Sequence, residues 1–124
     1  MSTAPPRWRT DMKANTLREI ALSLPGTEER ETWGDATFRV RNKIFVILRT
    51  DGTRASIKTA RDEQQALVAE NPGAYYLPEY VAQHGWVGVR VSRARTDEIR
   101  ELVIEAWRMT AAKRAVRAFD EAAS

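Results

Sequence analysis

Trp33-Gly34-Asp35-Ala36-Thr37-Phe38-Arg39-Val40-Arg41-Asn42-Lys43-Ile44-Phe45-Val46-Ile47-Leu48, followed by Asp51-Gly52 and then Ala55-Ser56-Ile57-Lys58-Thr59, is the stretch that decides the fold. Phe38 and Val40 alternate with Thr37, Arg39 and Arg41, the period-two pattern of a strand with one covered and one open face. Ile44 to Arg49 is almost continuously apolar, as a central strand is, and Thr50-Asp51-Gly52-Thr53 has the residues of a hairpin turn. In Arg54 to Lys58, Ala55 and Ile57 point one way while Arg54, Ser56 and Lys58 point the other. The pattern predicts an antiparallel meander with its basic side chains on one face.

Upstream, Leu17, Ile20, Ala21 and Leu24 recur at helical spacing, and Leu24-Pro25-Gly26 supplies a stop, so a helix is expected from Asp11 or Asn15 to Ser23. Glu28 to Trp33 is expected as a first short strand, with the tight connection at Gly34-Asp35. Downstream, Thr59-Ala60-Arg61-Asp62 resembles a capping box that opens a second helix to Glu70, ended by Asn71-Pro72-Gly73. Ala74 to Gly85 is loop-like, with a helical turn expected around Pro78 to Gln83. A last strand follows from Trp86 to Val91, with Val87, Val89 and Val91 facing the core and Trp86, Gly88 and Arg90 facing away. Thr96 is the expected N-cap of a long helix whose stripe of Ile99, Leu102, Val103, Ala106 and Thr110 runs to about Arg117.

The expected class is α+β, an antiparallel sheet with helices on one face in the order α-β-β-β-β-α-β-α. With 124 residues there is room for one core, so residues 11–118 are expected to form a single domain between tails at 1–10 and 119–124. No run approaches the roughly 18 apolar residues that span a bilayer, so no membrane partner is expected. The first residues lack the apolar core of a secretory signal, which makes the cytoplasm the expected compartment. The absence of cysteine removes disulfides, thiolate nucleophiles, iron-sulfur clusters and cysteine zinc sites. A net charge of +3, from 20 Lys and Arg against 17 Asp and Glu, is too small to argue for a polyanionic partner without clustering.

The ordered series Leu24-Pro25-Gly26, Trp33, Phe38-Arg39-Val40, Lys43-Ile44-Phe45, Ile57-Lys58-Thr59, Tyr76 to Tyr80 and Gly85-Trp86-Val87 resembles the YjbR/MmcQ family, also described as double-wing DNA-binding proteins. The similarity covers roughly Thr16 to Lys113. It implies an α+β domain of the frataxin-like or secretion-chaperone-like sort, and no established reaction. The chain departs from the family pattern in two places. Asn42 stands where a glycine before the lysine is usual, a harmless change because Asn tolerates the left-handed turn conformation. Gly85 separates His84 from Trp86 where histidine and tryptophan are often adjacent, which weakens any role for His84.

Strand parity puts Thr37, Arg39, Arg41, Arg54, Ser56, Lys58, Trp86 and Arg90 on the sheet face away from the helices. Arg39, Arg41, Lys43, Arg54, Lys58, Trp86 and Arg90 are the candidate nucleic-acid-binding residues: the cations would neutralise phosphates and Trp86 would stack on a base or wedge into a groove. DNA is the expected partner. An acidic protein surface is the alternative, since Arg and Trp also make interface hot spots, and plain solvation of an open sheet face competes with both. No catalytic residue, metal ligand or cofactor is expected. His84 lacks a carboxylate partner and no nucleophile motif is present, so an enzyme would need a pocket joining His84, Tyr80 and Lys58. The acidic cluster Glu28, Glu29, Glu31 and Asp35 is too sparse for a hard metal and reads as a salt-bridged edge. Trp33 and Trp107 are expected as core or rim, and Tyr75, Tyr76 and Tyr80 as packing residues. Lys113, Arg114 and Arg117 complement the negative pole of the last helix.

Overall fold

The structure is a computed structural model that describes residues 12–123. Helix α1 (Met12–Ser23) leads into β1 (Glu28–Thr32), β2 (Asp35–Val40), β3 (Lys43–Leu48) and β4 (Arg54–Ile57). Helix α2 (Arg61–Glu70) is followed by the two-residue β5 (Tyr75–Tyr76), β6 (Val87–Arg90), α3 (Thr96–Thr110) and α4 (Lys113–Ala123). The expected element order is present, with β5 and α4 added to it. All six strands form one antiparallel sheet in the order β1-β2-β3-β4-β6-β5. Among the described residues, no helix is long and apolar enough to cross a membrane.

The covered face follows from the alternation. Phe38, Val46, Ile57 and Val87 stand side by side across four strands, and Ala36, Leu48, Ala55, Val89 and Tyr75 form the next row, all buried. Helices α1 and α3 lie on these rows and donate Leu17, Ile20, Ile99, Val103 and Trp107 to the same core. Burying a side chain such as Phe38 or Ile57 removes about 1.5–3 kcal/mol worth of apolar surface from water. Trp107 is fully buried, and its indole Nε1 donates to the Pro25 carbonyl at 2.9 Å, pinning α3 to the turn after α1.

Several boundaries differ from expectation for local reasons. The first hairpin turns on Trp33 and Gly34, at φ 56° and 85°, one residue earlier than predicted, and Asp35 already belongs to β2. The capping box does not form: Ala60 holds the cap position of α2 without a side-chain bond, while Thr59 is buried one residue before it. Thr96 likewise lies inside α3; Arg95 occupies the cap position. The last helix does not run through to Arg117. Ala111 is extended, at φ −73° and ψ 161°, so that α4 folds back and sets Phe119 against Trp107 with ring centroids 5.1 Å apart. Arg108 ties the two helices by bonding Asp120 of α4 at 2.6 Å, while Glu105 on its own helix holds the guanidinium at 2.5 Å. Residues 119–123, expected as a tail, therefore continue a helix. The expected tail at 1–10 lies outside the described residues.

Candidate functional site

Among the described residues, the sheet face away from α1 and α3 has no helix on it, and its rows can be read across the strands. One row runs Arg30, Thr37, Ile47, Ser56, Gly88 and Tyr76; beside it Arg54 stands directly opposite Arg90. Six of the seven sequence candidates are cations, and the structure treats them unequally.

Arg39 lies along the sheet, with Nε on the Thr37 hydroxyl at 3.2 Å and a terminal nitrogen on Thr32 Oγ1 at 3.0 Å. That explains how Thr37 is buried on a nominally open face. Arg41 and Asn42 form the β2–β3 turn, at φ 56° and 60°, so Arg41 projects from a hairpin tip. Lys43 pairs with Val40, whose side chain is in the core, and therefore sits at the rim on the opposite parity from Arg39. The cause is a bulge: the register shifts between Phe38 and Arg39, leaving Phe45 as the extra residue and sending Ile44, not Phe45, to the open side.

Arg54 and Arg90 form the other group. Their guanidinium carbons lie 6.0 and 4.8 Å from the centroid of the Tyr76 ring, within cation–π range. Arg90 also donates to the Pro72 carbonyl at 3.1 Å. The Tyr76 ring crosses Gly88, where an added Cβ would lie 2.4 Å from ring carbons, so only glycine admits the ring at this point. Lys58 follows β4, its backbone nitrogen bonded to the Phe45 carbonyl at 3.0 Å. Trp86, expected as the stacking residue, is half-buried just before β6, and its carbonyl accepts from Gln64 Nε2 at 2.6 Å. The aromatic ring set among the cations is that of Tyr76.

A groove of about 420 Å³ lies beside this pair, walled by Arg49, Arg54, Ser56 and Tyr76 on the sheet and by Leu77 and Tyr80 on the loop after β5. Neither His84 nor Lys58 lines it, so this groove is not the pocket joining His84, Tyr80 and Lys58 that an enzyme would need. Tyr80 is not a packing residue: it is 86% exposed at φ 66°. Trp33 is neither core nor rim, being 98% exposed at its hairpin tip. Tyr75, by contrast, is buried, and its hydroxyl donates to Glu98 at 2.7 Å; burial first, then that bond, pushes its pKa well above the ordinary tyrosine value.

Charge balance separates the two edges of the face. At the β1–β2 edge, Arg30 pairs with Glu28 at 3.1 Å and Arg49 approaches Asp35 at 3.9 Å, while Arg18 of α1 holds Glu29 at 2.7 Å. The acidic cluster is thus dispersed among partners and does not converge. Among the described residues, Arg39, Arg41, Lys43, Arg54, Lys58 and Arg90 have no carboxylate within ion-pair distance. No sequence signal announced Tyr80, whose exposure depends on its loop conformation. A signal for Tyr76 was present in Gly88, since glycine inside a strand marks a place where another group comes close.

The YjbR family model matches residues 22–109. Uncharacterized proteins of Mycobacterium tuberculosis and Mycobacterium bovis are 37% identical over 54 residues, a stretch covering 44% of this chain and 42% of each relative. The match thus spans under half the length of those relatives. A solved structure, the Deinococcus radiodurans protein DR2400 with its DUF419 domain, superposes with a TM-score of 0.69 at 18% identity, covering 75% of this chain and 74% of that one. At that identity the likeness concerns the fold.

Proposed function

This chain belongs to the YjbR family, and we propose that it is a non-enzymatic DNA-binding protein whose contact surface is the open sheet face. One observation carries this reading: among the described residues, the six candidate cations Arg39, Arg41, Lys43, Arg54, Lys58 and Arg90 lack a carboxylate partner, while Arg18 and Arg30 are paired with Glu29 and Glu28. Unpaired guanidinium and ammonium groups on a shallow face suit phosphate oxygens, which they would contact with release of condensed counterions. At the groove beside β4 and β6, Glu79 is the one lining carboxylate among the described residues, with Asp51 in the turn before β4 close enough to feel Arg49 and Arg54.

The Arg54–Arg90 pair is the centre of the surface. Two guanidinium groups on adjacent strands, directly opposite one another, repel unless an anion lies between them. Tyr76 lowers that repulsion in the free protein by presenting its π-face to both. Arg39 contributes less, because its donors already serve Thr32 and Thr37.

Fluorescence anisotropy of labelled DNA titrated with the protein at several salt concentrations tests this function. The expected result is micromolar or tighter binding whose logarithm falls linearly with log salt, with a slope of about −0.7 to −0.9 per phosphate contacted. Arg54→Glu/Lys58→Glu should weaken binding and shallow the slope. Absence of binding even at low salt would end the DNA reading and favour an acidic protein surface as the partner of the same cations.

A further inference from the structure

Among the described residues, two large aromatic side chains stand in water, and both border the cationic face. Trp33 is 98% and Tyr80 86% exposed, whereas Trp107 and Tyr75 are buried in the core. Each occupies the left-handed backbone region, Trp33 at φ 56° and Tyr80 at φ 66°. A bulky residue is held there at a cost of about 1–3 kcal/mol, and backbone of this kind collects at binding sites. In neither case does burial of the ring in the free protein offset that cost.

The surroundings join the two rings into one surface. Trp33 borders a concavity of about 440 Å³ shared with Asp35, Arg49, Thr50 and Asp51. Tyr80 borders the groove of about 420 Å³ that Arg49 shares with Arg54. Arg49 is thus the common wall between them. The carboxylates near Trp33 already have internal donors. Asp35 accepts from the backbone nitrogen and hydroxyl of Thr50 at 3.0 and 3.1 Å, and Asp51 from those of Thr53 at 2.9 and 2.7 Å. Their oxygens complete hairpin turns, and Arg49 touches Asp35 only at 3.9 Å with its side chain largely exposed, a weak ion pair that a phosphate can compete for.

We propose that the face selects nucleic acid with unpaired bases, Trp33 and Tyr80 each covering the face of one base while Arg49 and Arg54 hold the phosphates between. The inference rests on the DNA-binding reading and narrows it. A duplex keeps its base faces stacked inside, where neither ring can reach them, so the rings add affinity only for single strands or locally opened ones. Sequence preference should be slight, because every base has a π-face.

The test compares three labelled probes of equal length on the full chain by anisotropy: a single-stranded oligonucleotide, an abasic strand with the same phosphates, and a duplex. The base-bearing strand should bind roughly tenfold or more tighter than the abasic strand. Trp33→Asn, which keeps a residue tolerant of the left-handed turn, and Tyr80→Asn should each lose roughly tenfold on the base-bearing strand and nothing on the abasic one. Equal binding of base-bearing and abasic strands, or tightest binding to the duplex, overturns this inference and leaves phosphate-driven binding standing. Failure of all three probes to bind overturns both.

Discussion

The two faces of this sheet are built from the same strands and obey different rules. On the covered face, the neighbours across the strands are Phe38, Val46, Ile57 and Val87, and helices α1 and α3 exclude water from all of them. On the open face, the positions one residue along are Thr37, Ile47, Ser56 and Gly88, with Arg54 facing Arg90 beside them. The difference teaches where stability and recognition are stored. Close packing on one side holds the fold, and the other side carries like charges on paired positions and exposed rings.

Replacing a residue on each side should break or sharpen this division, and the largest effect belongs to the covered side. Trp107→Ala removes a fully buried indole, its bond to Pro25 and its contact with Phe119, and urea unfolding should show a loss of about 3–5 kcal/mol. A loss under about 1 kcal/mol would mean that α4 and the α1 turn do not depend on this ring.

Gly88→Ala acts from the open side through a collision with Tyr76 and should cost about 1–3 kcal/mol. The double variant Gly88→Ala/Tyr76→Ala should recover most of that loss, because the ring that collides is gone. Additive losses in the double-mutant cycle would show that the glycine is needed for another reason.

Tyr75→Phe removes the bond to Glu98 beneath the sheet edge and should cost about 1 kcal/mol near neutral pH. The folded-state pKa of Tyr75 is raised, so its contribution is complete below the unfolded tyrosine pKa of about 10 and is lost as pH climbs above it. Chemical denaturation between pH 8 and 11 should therefore show wild-type stability falling at the alkaline end, with a flatter curve for the variant. Parallel curves would exclude Tyr75 as the group responsible.

The smallest effect on stability should come from Arg54→Glu/Lys58→Glu, at less than about 1 kcal/mol, since neither side chain has an ion-pair partner among the described residues. The same variant carries the largest expected effect on DNA affinity. A strongly destabilised variant would mean that the cations support the fold, and the division between the faces would fail.

The alternation in Thr37 to Arg41, Arg54 to Lys58 and Trp86 to Val91 sufficed to place the strands and to sort core from open positions, because side-chain direction along a strand has period two. It also named the basic residues of that face, but not which of them would lack a carboxylate neighbour. Lys43 was legible as basic but not as off the face, since the bulge at Phe45 changes parity and no residue there advertises it. The acidic partners of Arg18, Arg30 and Arg49 were visible as residues, yet their pairing needs three-dimensional neighbours. Ala111 carried no breaker signal, because the turn there is held by contacts across the fold, Phe119 on Trp107 and Asp120 on Arg108.

What the sequence determined by itself is local: which residues extend, which coil, and which side of each strand is apolar, all set by periodicity and turn chemistry. Which aromatics serve the core and which stand in solvent was decided by the tertiary structure alone. Trp33 and Trp107 are the same side chain, and Tyr75 and Tyr80 share another. Their fates diverge because one of each meets packed neighbours across the fold, while the other is lifted by a left-handed backbone into water beside Arg49.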